Sequence, residues 1–254
     1  MSSKLHQRKP RLVPDQLLSR LVSNRGLVKC DNPPNKCQES ERPHHVRVVY
    51  ESGGEPKKCA GTLIHKQWVI TAKDCYGGLE GTLKVQLGEP KTGPKNTLVI
   101  KSSDILTPLY EPILLLKLPN SVKDITPAVL PSGDCMAPHV EEELKVSGYN
   151  FLDSGTNLMC LDVKVSACKD VTDFTKSKRI FCGDNTVCKE PTMCKDDYGS
   201  GLLKKETIKN KIPFTKEKQS DTLYGVLIES QAEQFIFLDI CYGPIKKWLH
   251  DVVK

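Results

Sequence analysis

An all-β fold is what this 254-residue chain predicts, on three observations. Short runs of β-branched and other apolar residues recur along it, bounded by turn residues. Glycine and proline, 17 of each, are frequent enough to supply many turns and too few for a low-complexity chain. Helical periodicity occurs once, at the end. Many short strands at this spacing fit a β-sandwich or β-barrels, and one all-β unit of this length is ordinary.

The runs come in the following order. HVRVVYES (45–52) alternates and meets Gly53-Gly54. GTLIHKQWVITA (61–72) is rich in β-formers and ends near Cys75. LKVQLG, TLVIKS, PILLLKL, LKVSGY, LMCLDVKVSAC, TLYGVLIES and EQFIFLDIC continue the series from Leu83 to Cys241. The lysine-rich stretch from Lys204 to Lys218 reads as an exposed loop or hairpin. In GPIKKWLHDVV, Ile245, Trp248, Leu249 and Val252 recur at helical spacing, with Pro244 at a first-turn position. A helix over about 244–253 is expected to dock that face on the body.

Eleven cysteines lie at 30, 37, 59, 75, 135, 160, 168, 182, 188, 194 and 241. A reducing cytosol seldom keeps such a set as structural bridges. Zinc would require paired Cys-x2-Cys or Cys/His clusters, and the sequence has none, so disulfides are expected. The odd count leaves one thiol free or paired between chains. Residues 1–29 hold no apolar core of a secretory leader's length. A leader already removed, or a start further upstream, reconciles the two signals, and a secreted, extracellular location is expected. No run is long and apolar enough for a membrane-spanning helix.

Charge is unevenly placed. The chain carries +6, and residues 1–29 account for it with seven basic residues against Asp15. The other 225 residues balance at 30 basic and 30 acidic, which excludes a body with a large net positive charge and gives no sign of a nucleic-acid partner. The basic segment reads as a leader or propeptide-like tail, or as a contact for anionic surfaces.

CAGTLIHKQWVITAKDC (59–75) resembles the block around the catalytic histidine of chymotrypsin- and trypsin-like serine proteases. EPILLLKL is similar to the block bearing the family's aspartate, and VSGY to its Ser-Gly-Trp-Gly. CKDDYGSG resembles the nucleophile block, and YGPIKKWLHDVV the C-terminal helix. The blocks keep the family's order over residues 37–253. The resemblance implies two six-stranded Greek-key barrels with a C-terminal α-helix. It divides the chain into the segment 1–29 and a homology domain 30–254, with barrel one at about 38–128 and barrel two at about 129–241.

The same resemblance implies the bridges Cys59–Cys75, Cys37–Cys160, Cys135–Cys241 and Cys168–Cys182. A further family bridge falls on Leu144 and Lys204, so both its partners are missing together. Cys30, Cys188 and Cys194 remain, and Cys188–Cys194 is the pairing favoured among them.

The chemistry implied for the family does not carry over. A serine protease needs a hydroxyl nucleophile, an imidazole base and an orienting carboxylate. Asp74 stands at the histidine position, Pro112 at the aspartate position and Tyr198 at the serine position. A carboxylate is a weak base at neutral pH, proline offers no side-chain acceptor, and an unassisted phenol stays protonated. Asp196 replaces a glycine whose N–H belongs to the oxyanion hole. His44, His45, His65, His139 and His250 are candidates for a relocated base, but none forms a recognisable motif with a serine or cysteine. Asp74 and Asp196 form either an acid–base pair or, in the plainer reading, a polar plug in the vacated cleft.

Thr192 falls at the base of the specificity pocket, and Ile228, Glu229 and Ser230 on the strand that pairs with substrate. Glu89 remains where one ligand of the trypsin calcium loop would lie, although the loop itself is shortened, and no cofactor or metal is expected. Asp197 keeps the position that receives the new N-terminus after activation, while Arg20-Leu21-Val22 resembles an activation site only faintly. The reading is a secreted, non-catalytic homologue that binds another protein: a protease substrate, an inhibitor or a receptor. Residual or altered hydrolase activity is one alternative, and binding of anionic surfaces through residues 1–29 the other.

Overall fold

The computed structural model describes residues 34–38, 41–88, 96–149, 151, 157–169, 179–187, 194–208, 218–231 and 233–253. Among the described residues of the compact unit Asn32–Lys254, fourteen strands form two antiparallel sheets.

The first sheet holds β2 (His45–Glu51), β3 (Lys57–His65), β4 (Trp68–Ala72), β5 (Thr82–Leu87), β6 (Asn96–Ile100), β7 (Ile105–Leu106) and β8 (Ile113–Lys117). Their order is β6-β5-β2-β3-β4-β8-β7. β6 and β7 are two ends of one segment, interrupted by a 3₁₀ turn at Ser102–Asp104. That bent segment joins both edges of the sheet and makes it barrel-like. β3 and β4 read as one run in the sequence. The structure splits them at Lys66–Gln67, where exposed Lys66 and half-buried Gln67 make the turn.

The second sheet holds β9 (Glu143–Gly148), β10 (Met159–Ser166), β11 (Ile180–Asp184), β12 (Gly201–Ile208), β13 (Lys218–Ser230) and β14 (Gln234–Asp239). β9 pairs with both β10 and β12, which closes these six strands into a ring. A short strand, β1 (Asn35–Lys36), adds to β10 from outside. β11 is absent from the sequence expectation because Gly183 interrupts its apolar run. A Cβ there would collide with Val163, so close strand approach demands the glycine. β12 shows the opposite masking: Lys204, Lys205 and Thr207 are partly or fully exposed, while Leu202 and Leu203 are buried.

Alternating side chains fill each barrel. Phe151, Phe181, Phe235 and Phe237 pack inside the second, with neighbouring rings 5.6–6.1 Å apart. The apolar cluster of the first continues through Leu223, Ile236 and Leu238 of the second. The chain ends in α1 (Gly243–Val252), which buries Ile245 and Leu249 against that cluster.

Disulfides close Cys37–Cys160, Cys59–Cys75, Cys135–Cys241 and Cys168–Cys182. Each contributes about 2–4 kcal/mol, mainly by restricting the unfolded chain. Cys194 is also disulfide-bonded; Cys188, its expected partner, lies outside the described residues. The register pairing Leu203 with Lys145 sets Lys204 opposite Leu144. Leu144 is buried there, and Lys204 reaches Glu142 at 2.5 Å.

Candidate functional site

Two short turns bring the expected site residues together. The first, Lys73–Cys75, is a 3₁₀ turn at the end of β4. It is pinned from both sides: Cys75 is bonded to Cys59 on β3, and Lys73 N donates to Pro112 O at 2.8 Å. The buried hydroxyl of Thr71, just before it, donates to Ala60 O at 2.6 Å. Asp74 projects into solvent from this turn, and Pro112 is half-buried beside it.

The second turn, Lys195–Asp197, precedes β12. It docks on the first sheet, where Ala60 N donates to Tyr198 O at 2.9 Å, and on the second, where Gly199 N donates to Leu227 O at 2.8 Å. Gly199 sits at φ +92, and a Cβ there would fall against Ala60 O and Thr71 Oγ1. Only glycine combines that backbone angle with that approach. The Sγ of Cys75 lies 3.5 Å from Tyr198 O. The segments carrying Asp74, Pro112 and Tyr198 therefore meet at one place.

Asp197 is fully buried, and its Oδ1 accepts the Tyr149 N–H at 2.7 Å. Gly148 makes room for it, since a Cβ there would lie 2.5 Å from Asp197 Cγ. Asp196, beside it, is half-buried. Tyr198 N donates to Lys195 O at 3.2 Å, and Asp197 N to Cys194 O at 3.0 Å. An amide directed at a carbonyl of its own turn is not directed at an external oxyanion. The Tyr198 ring packs against apolar side chains of both cores. Its hydroxyl accepts the Ser230 N–H at 3.3 Å. Ile228 and Ser230 are buried on β13, and Glu229 is exposed. Thr192, Glu89 and Arg20-Leu21-Val22 lie outside the described residues.

Residues 34–234 match the protein-family profile described as Trypsin. The chain belongs to the trypsin family. Among relatives in that family, serine protease VLSP-3 of Macrovipera lebetinus is 28% identical over 178 residues, covering 63% of this chain and 67% of that protein. Snake venom serine protease homolog rhinocerase 3 of Bitis rhinoceros is 26% identical over 188 residues, 66% of this chain and 71% of its own length. A solved structure titled "Structure of GrC" superposes with a TM-score of 0.67 at 18% identity, covering 86% of this chain and 97% of that one. At that identity the superposition speaks to the fold alone.

In this trypsin-family chain, sequence reasoning missed a buried polar seam between the sheets. Arg42 and Asp221 form an ion pair at 2.9 Å that is poorly aligned for hydrogen bonding, and His44 Nε2 lies 3.9 Å from the same carboxylate. His45 Nδ1 is 3.2 Å from Ser147 Oγ. Burial is the main cause that lowers His44 to about 4, with Asp221 opposing and Arg42 adding to the shift. Burial lowers His45 to about 3, helped by His44, Arg47 and Arg42. Both imidazoles are neutral at pH 7. The sequence signal was the His44-His45 pair at the start of an apolar strand.

Among the described residues, Cys37, Glu41 and Cys160 are grouped closely enough for a metal. Both sulfurs belong to one disulfide, so they are not available as thiolate ligands. No helix among the described residues is long and apolar enough to cross a membrane.

Proposed function

We propose that this chain is a non-catalytic member of the trypsin family, acting outside the cell by binding another protein at the rim of the former cleft. The observation that carries the reading is the way Tyr198 closes on its own chain. Its amide donates to Lys195 O, and its phenol accepts the Ser230 N–H. By the family resemblance, the first is an oxyanion-hole donor and the second a donor to the substrate backbone. Asp74 and Pro112 supply neither an imidazole nor its orienting carboxylate.

The four described disulfides suit an oxidising compartment. The printed name of one relative, a serine protease homolog, is compatible with the reading. The segment 1–29 lies outside the described residues and adds nothing to it.

The test is a fluorophosphonate probe on the folded full chain, with active trypsin as the positive control. The expected result is no labelling above the heat-denatured protein. Stoichiometric labelling would overturn the reading and leave the chain a hydrolase with relocated chemistry.

A further inference from the structure

One strand end serves both the buried polar seam and the second turn. Ser147, near the end of β9, and Tyr149, just past it, meet His45 of β2. Ser147 Oγ lies 3.2 Å from His45 Nδ1, and the rings of His45 and Tyr149 pack edge-on at 5.3 Å. The same two residues hold the turn Lys195–Asp197 through their backbone. Ser200 Oγ donates to Ser147 O at 2.8 Å, and Tyr149 N donates to Asp197 Oδ1 at 2.7 Å. A movement of this strand end away from His45 therefore reaches the turn directly.

The seam has no place for a proton on His45. The residue is buried, and its Nε2 has no hydrogen-bond partner. Its own segment supplies cations: Arg42 before β2, and Arg47 on β2, whose guanidinium lies 4.4 Å over the Tyr149 ring. His44, beside it, is buried with its own Nε2 unmatched. From β13 comes Asp221, which pairs with Arg42 at 2.9 Å and lies 3.9 Å from His44. From the end of β9 come Ser147 and Tyr149, with Asp197 beyond the Tyr149 N–H. Within the first sheet, His45 pairs with Thr62 and Arg47 with Gln86, neither of them ionisable. Burial is the main cause that holds His45 at about 3 and His44 at about 4. Two arginines already outnumber Asp221 here, so a charged His45 adds a further buried cation without a partner.

We propose that His45 is an acid-triggered latch: its protonation parts the end of β9 from β2 and releases the turn Lys195–Asp197. The two-state element is the strand end Ser147–Tyr149, seated on His45 when closed and detached when open. Once detached, the imidazole is hydrated and returns toward its ordinary value of 6.5. The open form then binds a proton that the closed form refuses. Its share of the population rises as pH falls below 6.5 and levels off only near 3. At pH 7 the latch is closed. The proposal does not rest on the binding role argued above; if a partner does sit at the rim, acid loosens one wall of its site.

Amide exchange of the ¹⁵N-labelled full chain at pH 7 and pH 5, corrected for the intrinsic effect of pH and repeated in low urea, tests the latch. The reporters are Tyr149 N–H, donor to Asp197 Oδ1, and Asp197 N–H, donor to Cys194 O. Both are expected to lose about 25-fold in protection at pH 5, the linkage of one histidine freed toward 6.5. Their exchange should depend little on urea, because a local opening exposes little surface. Amides of the β4–β8 ladder should keep the steep urea dependence of global unfolding. In His45→Gln the two reporters should stay within about threefold of their pH 7 protection. His44→Gln should leave most of the acid loss in place. The urea slope in the parent chain separates local from global opening without any variant. Exchange of both reporters only together with the ladder, at the same slope, overturns the proposal. So does a Tyr149 amide that loosens without Asp197, or a His45→Gln chain that loses as much protection as the parent.

Discussion

The turn at Lys73–Cys75 and the turn at Lys195–Asp197 face one another and differ in kind. The first keeps its backbone pinned by Cys59 and Pro112 O and offers an exposed side chain, Asp74, to solvent. The second is wedged between the sheets, and its own amide and phenol are engaged internally. On one side an exposed side chain stands on a pinned frame that could carry another. On the other the backbone is already hydrogen-bonded, Tyr198 N to Lys195 O and Gly199 N to Leu227 O.

The largest effect expected from this contrast is on stability. Gly199→Ala forces a Cβ against Ala60 O and Thr71 Oγ1 at a backbone angle that alanine rarely adopts. Strain and overpacking together are expected to cost about 4 kcal/mol. Gly78, in the loop after the first turn, has φ +117 but open space around it. Gly78→Ala should cost about 1–2 kcal/mol from strain alone. Urea unfolding of the two variants measures the difference; equal losses would show that the second turn is no tighter than the first.

Rebuilding the chemistry tests the same contrast. On the proposed correspondence, Asp74→His, Pro112→Asp and Tyr198→Ser together would supply the family's side chains and leave residue 196 an aspartate. Ester turnover is expected to stay about 100-fold below that of the same protein with Asp196→Gly added, the usual effect of one oxyanion donor. A triple variant as fast as the quadruple one would show that the aspartate at residue 196 does not impair oxyanion binding.

The polar seam between the sheets supplies a pH test. His44 and His45 titrate near 4 and 3 in the fold, against 6.5 in the unfolded chain. As pH falls below 6.5 the unfolded chain gains protons that the native state does not. Stability is therefore full above pH 6.5 and declines toward pH 4, by up to about 1.4 kcal/mol per pH unit for each histidine. The loss levels off only below the folded values. Thermal melts at pH 7 and pH 5 should show a smaller drop for His45→Gln than for the parent; an identical drop would place the sensitivity elsewhere.

Most of the fold was legible because β-barrel strands alternate and the family's blocks sit at strand ends. What escaped has physical causes. β11 hides behind Gly183, a residue required by close packing that looks like a break in a strand. β12 hides behind the half-buried Lys204 and the exposed Lys205. At the candidate site, the sequence raised expectations about residue types and none about backbone hydrogen bonds. Asp196 was expected at a glycine position from the resemblance alone, and nothing in CKDDYGSG says that the Tyr198 amide bonds to Lys195 O. His44 and His45 read as possible bases, and only burial reveals that they are neutral seam residues.

The smallest effect isolates the phenol. Tyr198→Phe keeps the ring wedged between the two cores and removes the acceptor facing Ser230 N. The bond is long at 3.3 Å, so a loss of about 0.5–1 kcal/mol is expected. Local opening is the sharper readout. Amide exchange at Ser230 should quicken several-fold, while exchange at Gly199, held by Leu227 O, should follow only the global change. If Ser230 exchanges no faster, the phenol does not guard that N–H in solution. The second turn would then resemble the first, with side chains replaced over a backbone still able to receive a substrate.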